Sequence, residues 1–119
     1  MPFRDTATRL DDIIDAIAWI ERLTRGKSEA DYRCDRPLRD AVERNLERIS
    51  EASRHLPLDL TKAHPAVPWR QVADLGNRLR HGYDAIDHGI IWAIVTDDLP
   101  ILRAAVEAMA KSESDPGTA

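Results

Sequence analysis

The sequence predicts an all-α fold, an antiparallel bundle of four to five helices. Three observations carry this expectation. Apolar residues return at three- and four-residue intervals over several long stretches, which is the repeat of an amphipathic helix. Aliphatic side chains supply most of the 43% apolar content and only 5% of residues are aromatic, a poor composition for a sheet. Brief connectors marked by Pro and Gly separate the helical stretches, so successive helices are expected to pack as antiparallel neighbours. At 119 residues the chain is large enough for one core. One domain over residues 1–111 is expected, followed by a disordered tail over 112–119, which is small, polar and interrupted by Pro116-Gly117.

Each element has its own signal. The first helix carries Leu10, Ile13, Ile14, Ile17, Ile20 and Leu23 on one stripe, with Thr6 or Asp5 as its cap and Gly26 as its stop. The polar stretch from Ser28 to Asp35 holds a helical turn. Pro37 suits the first turn of a second long helix, whose stripe of Leu38, Ala41, Val42, Asn45, Leu46, Ile49 and Ala52 ends near His55. A short turn over 59–63 and the run His64-Pro65-Ala66-Val67-Pro68 form a rigid connector. Pro68 opens a third long helix with Trp69, Val72, Leu75 and Leu79 on one side, running to about Tyr83. Asp87 caps a fourth, with Ile90, Ile91, Ile94 and Val95 inward. Pro100 cannot lie inside a helix without removing a hydrogen bond, so a fifth helix capped by Asp98 is expected to begin there.

Composition narrows the function. A formal net charge of -4 argues against broad electrostatic capture of nucleic acid. The 17 basic residues are mostly arginine, however, and arginine suits bidentate phosphate contacts, so a local groove remains open. The single Cys34 excludes an intrachain disulfide and fits a reducing compartment. No apolar run approaches the length of a membrane span and no signal peptide is legible, so a cytoplasmic protein away from membranes is expected.

The third long helix holds the densest polar cluster. At about 100° per residue, Asp74, Asn77, Arg78 and His81 share a face roughly opposite Val72, Leu75 and Leu79. A histidine beside Arg and Asn is an acid–base arrangement suited to a phosphodiester, although a solvated helix face has the same pattern. Other schemes are weaker. His81, Asp84 and His88 have helical spacing for a metal, but Gly82 and the break before Asp87 disturb it. Ser50, His55 and an Asp can be named as a triad without support from their spacing. No Gly-rich phosphate loop or other cofactor motif is present.

The run VPWRQVADLGNRLRHGYDAID, with Trp92 and DDLP after it, resembles the signature of the HepT branch of the HEPN superfamily. Upstream, AVERNLERISEAS followed by HLP resembles that family's second helix, where Gly-Glu-Ala commonly stands in place of Ser50-Glu51-Ala52. The likeness spans roughly Leu10 to Ala110. It implies a homodimeric helical bundle of HEPN type. It also implies a metal-independent ribonuclease acting as the toxin of a toxin–antitoxin pair, with RNA as substrate and a nucleotidyltransferase antitoxin as partner.

The family motif is Arg, four residues, His, one residue, Tyr. The histidine falls on His81, which the resemblance makes catalytic, and the tyrosine falls on Tyr83, which the antitoxin would modify with AMP. The polar residue after the motif arginine falls on Asn77. The arginine itself would stand at position 76, where this chain has Gly76; Arg78 and Arg80 are the nearby substitutes. A regular helix separates position 76 from His81 by about 140°, so their pairing would need unwinding near Gly82 or a second subunit. The alternative implied by Gly76 is a non-catalytic HEPN module that binds a nucleotidyltransferase or a nucleotide.

Overall fold

The computed structural model describes residues 2–81 and 86–113. Among them the chain is helical throughout: α1 (Pro2–Thr24), α2 (Glu29–Cys34), α3 (Arg36–Ser53), α4 (Leu58–Lys62), α5 (Trp69–Arg80), α6 (His88–Ala93) and α7 (Leu99–Glu113), with a π-helical segment, Ile94–Asp98, joining the last two. Helix α3 is central. It packs on α1 along one side and on α5 along another, and α7 closes the core against α1. No helix among the described residues is long and apolar enough to cross a membrane.

The core follows the stripes. Leu10, Ile13, Ile17 and Ile20 of α1 are fully buried against Val42, Leu46 and Ile49 of α3 and Val106 and Met109 of α7. Truncating any one of these to alanine removes transfer energy and leaves a cavity, at a cost of about 2–5 kcal/mol for a leucine or isoleucine. Local capping sets the starts. Ser28 and Asp31 form a reciprocal capping box on α2, the Ser28 hydroxyl accepting from the Asp31 amide at 3.1 Å and the Asp31 carboxylate from the Ser28 amide at 2.8 Å. Asp35 caps α3 with Pro37 in its first turn, and Asp87 caps α6 by accepting from the Gly89 amide at 2.6 Å. Gly26, at φ 74°, makes the turn after α1 in the left-handed region open to glycine.

Three expectations need correction. Thr6 and Asp5 do not cap α1, because that helix already begins at Pro2 and Thr6 is buried within it. The expected fourth and fifth helices are one continuous rod, and Asp98 is the last residue of its π segment and not a cap. There the Leu99 amide donates to the Ile94 carbonyl, five residues back. The widened turn displaces the carbonyl that the Pro100 ring would strike, so the proline is accommodated without ending the helix. With that join, the described residues make six helical rods where a four- to five-helix bundle was expected. Helix α7 runs to Glu113, two residues into the stretch expected to be a tail, and 114–119 lie outside the described residues.

Helix α2 buries one side chain. Tyr32 is fully buried, with its ring 5.5 Å from that of Trp92 and edge-on to His88 at 6.0 Å. Burial pushes its phenol above the ordinary tyrosine range. The same packing accounts for Trp92, which the sequence left off the stripe of its helix. Nearby on α3, burial and then the Asp40 charge push the Glu43 carboxyl upward, and His88 offsets part of this. A carboxyl raised in the folded state contributes stability that is present below its unfolded pKa and lost as pH rises through the folded one. Glu43→Gln is therefore expected to melt higher than the parent at neutral pH, with the gap closing below the ordinary carboxylate range. Thermal melts of both proteins across that window check it, and a gap that widens on acidification would refute it.

Candidate functional site

The site is built on the C-terminal half of α5 and on how that helix seats against α3. The entry into α5 is fixed by Trp69, whose indole N–H donates to the His64 carbonyl at 3.0 Å. The sequence wheel sets Val72, Leu75 and Leu79 inward, yet all three are only half-buried. The tight contact is made one face over, by Ala73 and Gly76. The Ser50 hydroxyl donates to the Ala73 carbonyl at 2.8 Å and accepts from the Gly76 amide at 2.9 Å. Small residues let the two backbones approach closely enough for one hydroxyl to bridge them.

Gly76 is the one buried residue of α5, and it has no room for a side chain. A Cβ at position 76 would lie 2.7 Å from Ser50 Oγ and 3.0 Å from Ser50 Cβ, so the hydroxyl must turn aside and the Ser50 Cβ must give by a few tenths of an ångström. Position 76 thus differs from the arginine that the resemblance implies by a tight contact as well as by a missing charge. Over that contact lies Arg80. One of its guanidinium nitrogens is 3.7 Å from where the Cβ would stand, and the other, Nη2, donates to Asn77 Oδ1 at 2.7 Å. A guanidinium therefore occupies space beside position 76, reached from one turn further along the helix.

His81 follows directly as the C-cap of α5, at φ -95° and ψ 14°, its amide donating to the Asn77 carbonyl at 3.0 Å. It is exposed. Arg78 and Arg80 both stand in the last turn, where the helix dipole favours cations. They face different surroundings, however. Arg78 lines an apolar groove of about 360 Å³ with Val72, Leu75, Ile90 and Ile94. Arg80 opens onto a polar cleft between α1 and α3. The structure thus joins the Arg80 guanidinium to Asn77, sets His81 next in sequence, and gives Arg78 and Arg80 different surroundings. Tyr83 and Asp84 lie outside the described residues. His88, weighed with them as a metal ligand, packs against Tyr32.

Two features were not read from the sequence. Ser50 and Gly76 were each noted, but 26 positions apart nothing local reveals that they touch. Arg44 and Arg48 also went unremarked, although their i,i+4 spacing on the polar side of α3 was a legible signal.

Fold and site define a class: a small all-helical protein carrying an Asn–Arg–His end on one helix, with no strand among the described residues. This chain belongs to the HepT-like family, whose model, described as Ribonuclease HepT-like, matches residues 13–109. A protein of Thermococcus cleftensis named "Probable ribonuclease HepT" is 39% identical over 102 residues, covering 86% of this chain and 93% of that protein. A "Putative RNase" of Methanocaldococcus jannaschii is 35% identical over 107 residues, covering 90% and 98%. Another of that name from Caldanaerobacter subterraneus is 30% identical over 104 residues, covering 87% and 93%. No solved structure matches.

Proposed function

We propose that this chain is the toxin of a toxin–antitoxin pair, a homodimeric, metal-independent endoribonuclease that a partner nucleotidyltransferase silences by adding AMP to Tyr83. The observation that carries the reading is the Arg80 guanidinium, held by Asn77 over Gly76 and next in sequence to an exposed His81. In that arrangement the His81 imidazole accepts the proton of an RNA 2′-hydroxyl as its oxygen attacks the adjacent phosphorus. The 5′-oxygen of the next nucleotide leaves and takes a proton, and a 2′,3′-cyclic phosphate remains. Arg80 donates to the non-bridging oxygens, where charge builds up in the transition state. Silencing follows from the same charges. Attack of the Tyr83 hydroxyl on the α-phosphorus of ATP releases pyrophosphate and leaves an anionic adduct two residues from His81, where it competes for the arginine field.

A second reading is a non-catalytic module that binds a nucleotidyltransferase or a nucleotide. The Ser50–Gly76 contact favours it, since it removes the motif arginine and the space for one. One experiment separates the two. Purified protein is expected to cleave RNA equally with and without chelator, and His81→Ala to lose about a hundredfold or more of that rate. Incubation with the partner, ATP and magnesium is expected to add AMP to the Tyr83 peptide in a mass spectrum and to stop cleavage. Equal inertness of parent and His81→Ala on varied RNAs would leave the non-catalytic reading.

A further inference from the structure

Arg80 forms one wall of a cleft of about 370 Å³ whose other walls are Arg9 of α1 and Arg44 and Arg48 of α3. Asp12, Glu47 and Glu51 also line it, but two of these acids are engaged: Glu47 pairs with Arg44 at 3.2 Å and Glu51 with His55 at 3.3 Å. Among the described residues, Arg9, Arg48 and Arg80 have no ion-pair partner. The Arg9 Nε is moreover buried with no hydrogen-bond acceptor. A buried guanidinium N–H left unpaired is costly, and the four arginines of the lining outnumber its three carboxylates, of which Glu51 lies within electrostatic reach of Arg80. In a chain of net charge -4, a cleft lined by four arginines and three acids is a local excess of positive charge that the composition does not require.

We infer that this cleft is a phosphate subsite that holds the RNA strand beside the bond His81 cleaves. Its volume suits a single nucleotide, and not a folded RNA element. Its chemistry, planar guanidinium forks around a cavity, suits a phosphodiester. Arg80 belongs to both regions, so a strand whose scissile phosphate meets Arg80 has its neighbouring phosphate led toward Arg48 and Arg9. This inference rests on the reading of the chain as acting on RNA, and adds where the strand lies.

The test is binding of a short, unstructured, fluorescently labelled oligoribonucleotide to His81→Ala protein, which holds the strand intact, over a range of salt. Removing Arg9 and Arg48 together as glutamines is expected to weaken binding about tenfold and to reduce the slope of log K against log salt by about 1.4, close to 0.7 for each lost contact on a single strand. Arg48 is exposed, so Arg48→Gln alone gives a variant that keeps its fold, with a slope reduced by about 0.7. Unchanged affinity and slope in Arg48→Gln and in the double variant would overturn the inference, as would failure of the parent to bind RNA. Inorganic phosphate competing as well as the oligonucleotide at equal phosphate concentration would overturn the assignment to a strand. The two readings fail separately. A cleaving enzyme whose RNA binding ignores Arg9 and Arg48 loses the cleft alone. An inert enzyme whose binding depends on them loses the nuclease and keeps the cleft.

Discussion

Gly76→Arg, which supplies the arginine that the motif resemblance implies at this position, is expected to destabilise this protein, and Ser50→Gly in the same chain to rescue it. The added Cβ meets Ser50 Oγ at 2.7 Å and Ser50 Cβ at 3.0 Å. The second of these atoms is fixed to the α3 backbone, so relief there takes a shift of a few tenths of an ångström between α3 and α5. Overpacking of this kind costs about 1–3 kcal/mol, against about 1 kcal/mol recovered by replacing a helical glycine. An arginine stem must also leave the interface past Arg80, which places the loss toward the upper end, a fall on the order of 5–10 °C in Tm for a domain of this size. Ser50→Gly removes both offending atoms. It also removes the bridging hydroxyl, but the Ala73 carbonyl and Gly76 amide retain partners within their own helix.

The double variant carries Gly and Arg where this chain has Ser and Gly, the arrangement that the resemblance to the family motif implies. It is expected to recover most of the lost stability and to raise RNA cleavage about a hundredfold, the scale of one oriented donor on transition-state charge. A double-mutant cycle of melts reads the coupling, since contacting residues depart from additivity. A Gly76→Arg protein as stable as the parent would show that the tight contact is not there.

The second large effect separates the two arginines that the sequence left as alternatives. Arg80→Ala is expected to lower kcat/KM on RNA about a hundredfold, chiefly through kcat, because its guanidinium is already oriented by Asn77 Oδ1 at 2.7 Å. Arg80→Lys recovers little, since a point charge cannot both bond Asn77 and fork onto a phosphate. Arg78→Ala is expected to change the rate by only a few fold, because Arg78 lines the apolar groove away from the cleft. Equal losses in Arg78→Ala and Arg80→Ala would mean that the phosphate lies above His81 between the two, and not over Gly76.

What the sequence determined by itself is local. The periodic stripes defined the long helices and the buried faces of α1 and α3. Pro37, Asp87 and Gly26 marked boundaries where the structure has them, because capping and turn signals act within a few residues of the chain. His81, Asn77 and the anomaly at Gly76 were legible because a motif is a spacing along one helix. Only the tertiary structure decided what these residues meet. Ser50 and Gly76 lock because two helices cross there, and the periodicity of one helix says nothing about the depth of its neighbour's groove. The π segment joins the last two helices because a widened turn satisfies the backbone around Pro100, an option the general rule about proline does not include. Arg78 and Arg80 are alternatives on a wheel. They are assigned different surroundings by α6 with its π extension on one side and α1 on the other, and packing between elements distant in sequence made that choice.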